Sequence, residues 1–373
     1  MRDSIREKNK EIQATSDSMY VPRYGQVSFV TPLSSNGMDG SKYMHYISLN
    51  ILQGYNGALK GVEFGGLLNG NKGYVTGAQF AGLGNYAGGN LRGAQFAGLA
   101  NFSTSVLGAQ FAGIANVSGG SVSGWQTAGV INVSADSLNG MQTVGVINVI
   151  SSARKSKAWQ LAGVGNVSLA QQTGAQISGV FNVANRLKGG QVGLINVAEN
   201  MKGFQIGLIN IADSISGVPI GLISVSGNGV FDINLWTSDF LSFNGGIRVG
   251  SQYVYNIYAY GVSPFDPDLP FGFGIGMGGH IPFKKAFIDI DGIAWTMHRS
   301  YLSFNGVNMI TQLRVMGGFK FNKYLSIFAG PALNIGVQEN RYATFNNYAF
   351  YEYAGANTTV NIWPGFIAGI RLF

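Results

Sequence analysis

The chain has no cysteine among its 373 residues, which excludes both disulfide staples and thiol catalysis. Histidine is nearly as scarce: His45, His280 and His298 stand far apart, with no metal-ligand spacing between them. Charged residues are only 11% of the chain, few for a water-soluble enzyme of this size. No run of about 18 apolar residues occurs, which excludes a helical membrane protein. The net charge of +7 forms no basic cluster interleaved with aromatics beyond Arg154 to Lys157, so nucleic acid is not expected as a partner.

Glycine, by contrast, is abundant, with 56 residues, and it is periodic. Eleven copies of one phrase run through mid-chain, the clearest being Gly77-Ala78-Gln79-Phe80-Ala81-Gly82-Leu83-Gly84-Asn85 and Gly93-Ala94-Gln95-Phe96-Ala97-Gly98-Leu99-Ala100-Asn101. A Gln slot recurs at Glu63, Gln79, Gln95, Gln110, Gln126, Gln142, Gln160, Gln176, Gln191, Gln205 and Pro219, a step of 16 residues with excursions from 14 to 18. An Asn slot follows at Asn69, Asn85, Asn101, Asn116, Asn132, Asn148, Asn166, Asn182, Asn196, Asn210 and Ser224. A fixed short period means stacked units rather than one globular core.

The residues around each Asn are β-branched and apolar, as in Val130-Ile131-Asn132-Val133, which suits a strand. A polar stretch with one apolar residue (Val122, Leu138, Leu187, Ile215) then leads to the next Gly, reading as a turn and a second short strand. Sixteen residues cannot hold two lipid-spanning strands of about 9 to 11 residues each. Each unit is therefore expected to be a two-strand coil of a β-solenoid with coils about 4.8 Å apart. The Gln and Asn slots would form structural amide ladders, an assignment preferred to a sugar-binding row because stacked amides satisfy one another when buried. Gly at two fixed slots would permit tight corners or positive φ. Lys72, Arg92, Asp136, Arg154, Lys155, Lys157, Arg186, Lys188, Glu199, Lys202 and Asp213 fall in the links, which should face water as a solvated rim.

From about Phe240 onward the repeat gives way to aromatic-rich segments of 10 to 14 residues: Phe240–Gly250, Tyr253–Val262, Phe271–Phe283, Ala286–His298, Met309–Phe321, Tyr324–Gln338 and Asn361–Phe373. Tight links (Ser251-Gln252, Lys284-Lys285, Asn322-Lys323) alternate with long ones such as Glu339 to Val360, the pattern of an outer-membrane barrel. Charges cannot face hydrocarbon cheaply, so parity points Arg248, Asp289, Asp291, Arg314, Lys320 and Arg371 inward as an ion-paired interior. Gln26–Leu33 and Tyr43–Leu52 also alternate and are expected to close the sheet.

The fold class is thus all-β, with a repeat β-solenoid inserted into a small antiparallel transmembrane β-barrel of 8 to 10 strands. Expected boundaries are 1–23 for a disordered lead, 24–57 for N-terminal barrel strands, 58–230 for the solenoid and 231–373 for C-terminal barrel strands. If Phe231–Trp236 is too short to span, the solenoid lies outside the cell; a tenth crossing would place it in the periplasm. The shortness of that segment favours the outside. The charged start, Met1 to Lys10, lacks the apolar core of a secretory signal, so a signal peptide is taken as already removed.

The Gly-x-Gln and Gly-x-x-Asn array, followed by Tyr255-Asn256-Ile257-Tyr258, Phe328-Ala329-Gly330-Pro331, Trp363-Pro364-Gly365-Phe366 and an aromatic carboxyl terminus at Phe373, resembles the surface-repeat outer-membrane proteins of Bacteroidota. The likeness covers roughly Tyr24 to Phe373. It implies an outer-membrane location and carries no agreed activity, so no functional residues transfer.

The expected function is a scaffold or binding surface for an envelope or extracellular partner, with outer-membrane lipid around the barrel and an envelope protein or surface glycan at the solenoid. A channel is the alternative, disfavoured because about eight strands fill with side chains. A lipid-modifying enzyme is the third class: His298 and Ser300 lie near a long loop, but parity sets His298 on the opposite face from Asp289 and Asp291. No catalytic, cofactor-binding or metal residue is assigned.

Overall fold

A computed structural model describes residues 19–299, 302, 308–339 and 349–373. Residues 1–18, most of the expected lead, and Ser300 lie outside the described residues. Of the described residues 76% are strand and 2% helix, comprising a β-solenoid of about 11 turns and a closed eight-strand antiparallel barrel. Two compact units divide it, Met1–Asn200 and Met201–Phe373.

The first unit is solenoid. Val122–Ala128 pairs in parallel with Ala100–Ala112 on one side and Leu138–Val144 on the other, setting Gln126 beside Gln110 and Gln142. Ala115–Ser118 likewise sets Asn116 between Asn101 and Asn132. Each coil is a wedge: a Gln-bearing strand, an apex at Gly-Leu or Gly-Val, an Asn-bearing strand and a link. The apolar residue four positions before each Gln turns inward, so Leu59, Val75, Leu91, Val106, Val122 and Leu138 form a buried aliphatic column.

Glycine is required at two places in the wedge. Two residues before Gln95, Gly93 has φ +136, and the same slot is positive from Gly77 through Gly217 except where Ala158 stands. At the apex, a Cβ on Gly98 would run into the carbonyl oxygen of Gly82 one coil away. The first demand is conformational and the second is close approach of parallel backbones.

The N-terminal segments are not barrel strands. Val21–Val30 pairs in parallel with Tyr43–Asn50, which pairs in parallel with Ala58–Gly65, so both are early solenoid strands, and the expected 24–57 barrel portion is corrected. Strand also extends into the expected lead, since Val21 to Arg23 belong to it. The reason is that this solenoid has a polar interior. Ser48 and Asn50 turn inward and Ile47 and Leu49 outward, the same polar-in, apolar-out alternation that a membrane barrel shows. The solenoid therefore precedes the barrel in the chain instead of interrupting it.

In the second unit the last solenoid strands, Ile209–Ile220 and Ile223–Ser226, pair in parallel and the barrel follows. Its strands are β1 (Val230–Thr237), β2 (Phe243–Gly250), β3 (Val254–Val262), β4 (Pro270–Phe283), β5 (Ala286–Arg299), β6 (Asn308–Lys320), β7 (Leu325–Glu339), β8 (Tyr351–Ala354) and β9 (Thr358–Leu372). β1 to β7 pair antiparallel in sequence, β7 pairs with β9, and β9 closes on β1; β8 lies on β9 as an extra strand. The segment suspected of being too short is thus a full stave.

The entry point of the chain follows from that register. Val230 opposes Gly250 at the tight-turn end, and Leu372 opposes Leu325 at the same end. The solenoid is therefore joined to the barrel at the tight-turn end. An eight-stave barrel that starts at β1 removes the premise on which the outside was favoured.

Candidate functional site

Three constructions carry polar or binding chemistry: the amide columns, the barrel interior and the apolar edge of the wedge. In the first unit each Gln donates to the Gln of the preceding coil, as in Gln95 Nε2 to Gln79 Oε1 at 2.8 Å, and this repeats from Gln79 to Gln191. Each Asn donates the other way, to the following coil, as in Asn116 Nδ2 to Asn132 Oδ1 at 3.0 Å, from Asn69 to Asn182. The same Asn nitrogen also donates to the backbone of the next Gln-bearing strand: Asn116 to Thr127 O at 2.7 Å and Asn132 to Thr143 O at 2.8 Å. The two columns run with opposite polarity, so their side-chain dipoles oppose. In the second unit Asn210 donates to Ile220 O at 2.9 Å and to Ser224 Oγ at 3.4 Å, and Gln205 to Ile211 O at 3.5 Å. All these amides are buried, which closes them to an external ligand.

The Gln column ends on a carboxylate. Because every Gln donates toward the amino-terminal side, the first position needs a pure acceptor, and Glu63 supplies it. Its Oε2 accepts from Gln79 at 2.8 Å and Asn71 at 2.7 Å, and its Oε1 from Asn50 at 2.9 Å and Asn56 at 2.7 Å. Glu63, the first occupant of the Gln slot, is completely buried. Burial pushes its pKa up, opposed by the amides of Gln79, Asn50 and Asn71. Nearer the amino terminus, Arg23 Nη1 donates to Asn36 Oδ1 at 2.5 Å, and Asn36 Nδ2 lies 2.8 Å from His45 Nε2. Burial first, and Arg23 second, lower the His45 pKa to about 4.

The barrel interior gathers Asp232, Arg248, Asp289, Asp291, Arg314 and Arg371, all buried. Asp289 is the hub: Oδ2 accepts from Arg371 at 2.5 Å and Arg248 at 3.0 Å, while Oδ1 lies 2.5 Å from His280 Nδ1. Arg248 also reaches Asp232 at 2.5 Å. Arg314 holds Asp291 with Nε at 3.1 Å and Nη2 at 2.9 Å, and Tyr255 Oη donates to the same carboxylate. Three guanidinium groups meet three carboxylates, so their formal charges balance. Lys320 shares the inward parity at its strand end but is half-buried, with Nζ 6.0 Å from the Phe287 ring centroid. Asp232, Asn234, Tyr255 and His280 complete the network. The first two are marked in sequence by the alternation Phe231-Asp232-Ile233-Asn234-Leu235.

The remaining interior is packed by Trp236, Tyr255, Phe287, Trp295 and Trp363, and the link 238–242 sends Phe240 and Leu241 into the same cluster. Trp363 Nε1 donates to Asp239 Oδ2 at 2.6 Å, fastening that link. His298 lies on the outward parity and stacks on Phe271, ring centroids 5.2 Å apart, so the barrel wall separates it from Asp289 and Asp291. Among the described residues no three His, Asp or Glu side chains are placed to hold a metal ion.

Outside the first unit's wedge, Phe64, Phe80, Phe96 and Phe111 form a file of rings with centroids 5.2, 4.9 and 5.0 Å apart. They wall an apolar groove of about 770 Å³ that also takes in Gly66, Gly82, Gly98, Ala81 and Ala97. The rings are nearly parallel to one another, so they present edges outward and cover each other's faces. That geometry suits an aliphatic chain better than the flat face of a sugar. Comparison with protein-family models, with curated proteins and with solved structures gives no match for the chain.

Proposed function

We propose that the protein is an outer-membrane β-barrel protein whose solenoid serves as a rigid scaffold or binding surface for an envelope partner. The observation that carries this is the inverted polarity of the barrel. Its wall exposes Leu235, Ile275, Ile290, Leu313, Val315 and Ile327, while its charges are sealed inside. Exposed aromatics at the tight-turn end, among them Phe231, Tyr253, Phe283, Phe321 and Tyr324, supply the belt expected at a membrane interface. Short turns face the periplasm in such barrels, and the entry of the chain into β1 at the tight-turn end supports a periplasmic solenoid. A packed interior supports a scaffold over a channel.

Refolding with and without phospholipid vesicles tests the membrane reading. Folded barrel should form with lipid only, and Val315→Arg, mid-strand on the outward face of β6, should weaken it by about 2–4 kcal/mol. A monomer that attains the same tertiary structure in plain buffer would defeat the reading.

A further inference from the structure

The solenoid wedge is itself amphipathic. Its apex carries one large aliphatic residue in every turn, from Leu67 through Leu99 and Val130 to Leu222; Leu99 and Val130 are each 43% exposed and Leu208 is 50% exposed. The outward positions on both strands next to the apex, from the residue before each Gln to the residue after each Asn, hold no charged residue in any turn. Charge begins one outward step farther from the apex, at Lys60, Arg92, Lys157, Lys188 and Lys202, and continues into the links. At about 3.3 Å per residue, the charge-free zone reaches roughly 10 Å from the apex along the Asn-bearing strand and roughly 13–16 Å along the Gln-bearing strand. Amphipathic elements at a bilayer surface bury about 5–10 Å. Trp125 and Trp159, 47% and 53% exposed, sit at the border of the zone, where indole rings favour the headgroup level.

A second observation places an apex at lipid depth. In the second unit the apex of the last turn meets the outward face of β3, near its tight-turn end. Asn256 Nδ2 donates to Gly221 O at 2.7 Å, and Tyr258 Oη donates to Leu222 O. The apex of that last turn thus lies against the wall that faces lipid.

We propose that the apex edge of the solenoid is a lipid-docking edge, seated among phospholipid acyl chains and headgroups with the charged links turned to water. The proposal rests on the membrane reading of the barrel. The phenylalanine-walled groove beside the apex then holds an acyl chain, whose methylenes match its ring edges and Ala-Gly floor. The link edge is left free to meet the envelope partner.

The absence of native cysteine gives a direct test. Single variants Leu99→Cys, Val130→Cys and Leu208→Cys at the apex, Ala153→Cys in a link and Val315→Cys on the barrel wall are labelled with a small fluorophore. They are refolded as full-length protein in phosphatidylcholine–phosphatidylglycerol vesicles. Doxyl-labelled lipid should quench the apex sites and the Val315 site at least about twofold more than the Ala153 site, and aqueous iodide should show the reverse order. Quenching at Val315 with none at the apex sites overturns the docking edge while sparing the barrel reading; apex sites shielded from both quenchers would mean a protein surface covers them, and also overturn it. No lipid quenching at Val315 defeats both readings. Because these side chains are exposed, the cysteine variants keep the fold, and unchanged circular dichroism verifies it.

Discussion

Glu63 shows how a single side chain can terminate a repeat. A glutamine there would bring a fourth-sided conflict, because its own NH₂ would meet the amides of Gln79, Asn71, Asn50 or Asn56, all of which donate inward. The carboxylate accepts from all of them and donates to none. Those amides favour the ionised form, but burial outweighs them and leaves the folded pKa above the ordinary 4.5, so ionising Glu63 in the fold costs stability: its contribution is full below that pH and is lost as pH rises through the folded value. Hydrogen-exchange protection of residues 44–85 should therefore fall as pH climbs from about 4.5, once intrinsic exchange is corrected for. Glu63→Gln should abolish that dependence while lowering protection throughout. An unchanged pH profile in the variant would show that another group sets it.

At the scale of the element, one coil is defined by where glycine cannot be replaced. Gly93→Ala would place a Cβ against the carbonyl of Gly77 in a backbone with φ +136. The strain of such a conformation is about 1–3 kcal/mol, before the contact itself is counted. The coil holding Ala158 shows the alternative, because that residue is not in the positive-φ region. The expected outcome for Gly93→Ala is a chemical-denaturation midpoint below wild type, with exchange protection lost first in the coils of Gln79 and Gln95. Equal protection across all coils would mean that the backbone reconverts at no cost. The repeat and its two glycine slots were legible because each coil must meet the same neighbours, so the same residue types recur. The strand character of Gln26–Leu33 and Tyr43–Leu52 was also legible, but their partners were not: polar-in alternation is common to an amide-filled solenoid and a salt-bridged barrel, and only the parallel register separates them.

For the molecule as a whole, the barrel closes with eight staves from Val230 onward, and its lumen is occupied by aromatic side chains and a balanced ion cluster. Planar-bilayer recordings of the full-length protein should show no stepwise conductance at neutral pH. Reproducible unitary steps would restore the channel alternative. The inward parity of Asp289, Asp291 and Arg314 could be read from alternation alone, since hydrocarbon rejects charge. The hub role of Asp289 could not, because Arg248, His280 and Arg371 reach it from three other strands.

Sequence alone determined that the middle of the chain is a stack of like coils with buried amide files, because a fixed period of Gly, Gln and Asn has no other compact solution that satisfies its amides. It also determined that the last third alternates with charge on one face and hydrocarbon on the other. Tertiary structure decided the rest: that the amino-terminal strands join the solenoid, that β1 completes the barrel, and that the chain enters at the tight-turn end. Those outcomes depend on which strands pair, and pairing is set by hydrogen bonds between residues distant in the chain, which local alternation leaves undetermined.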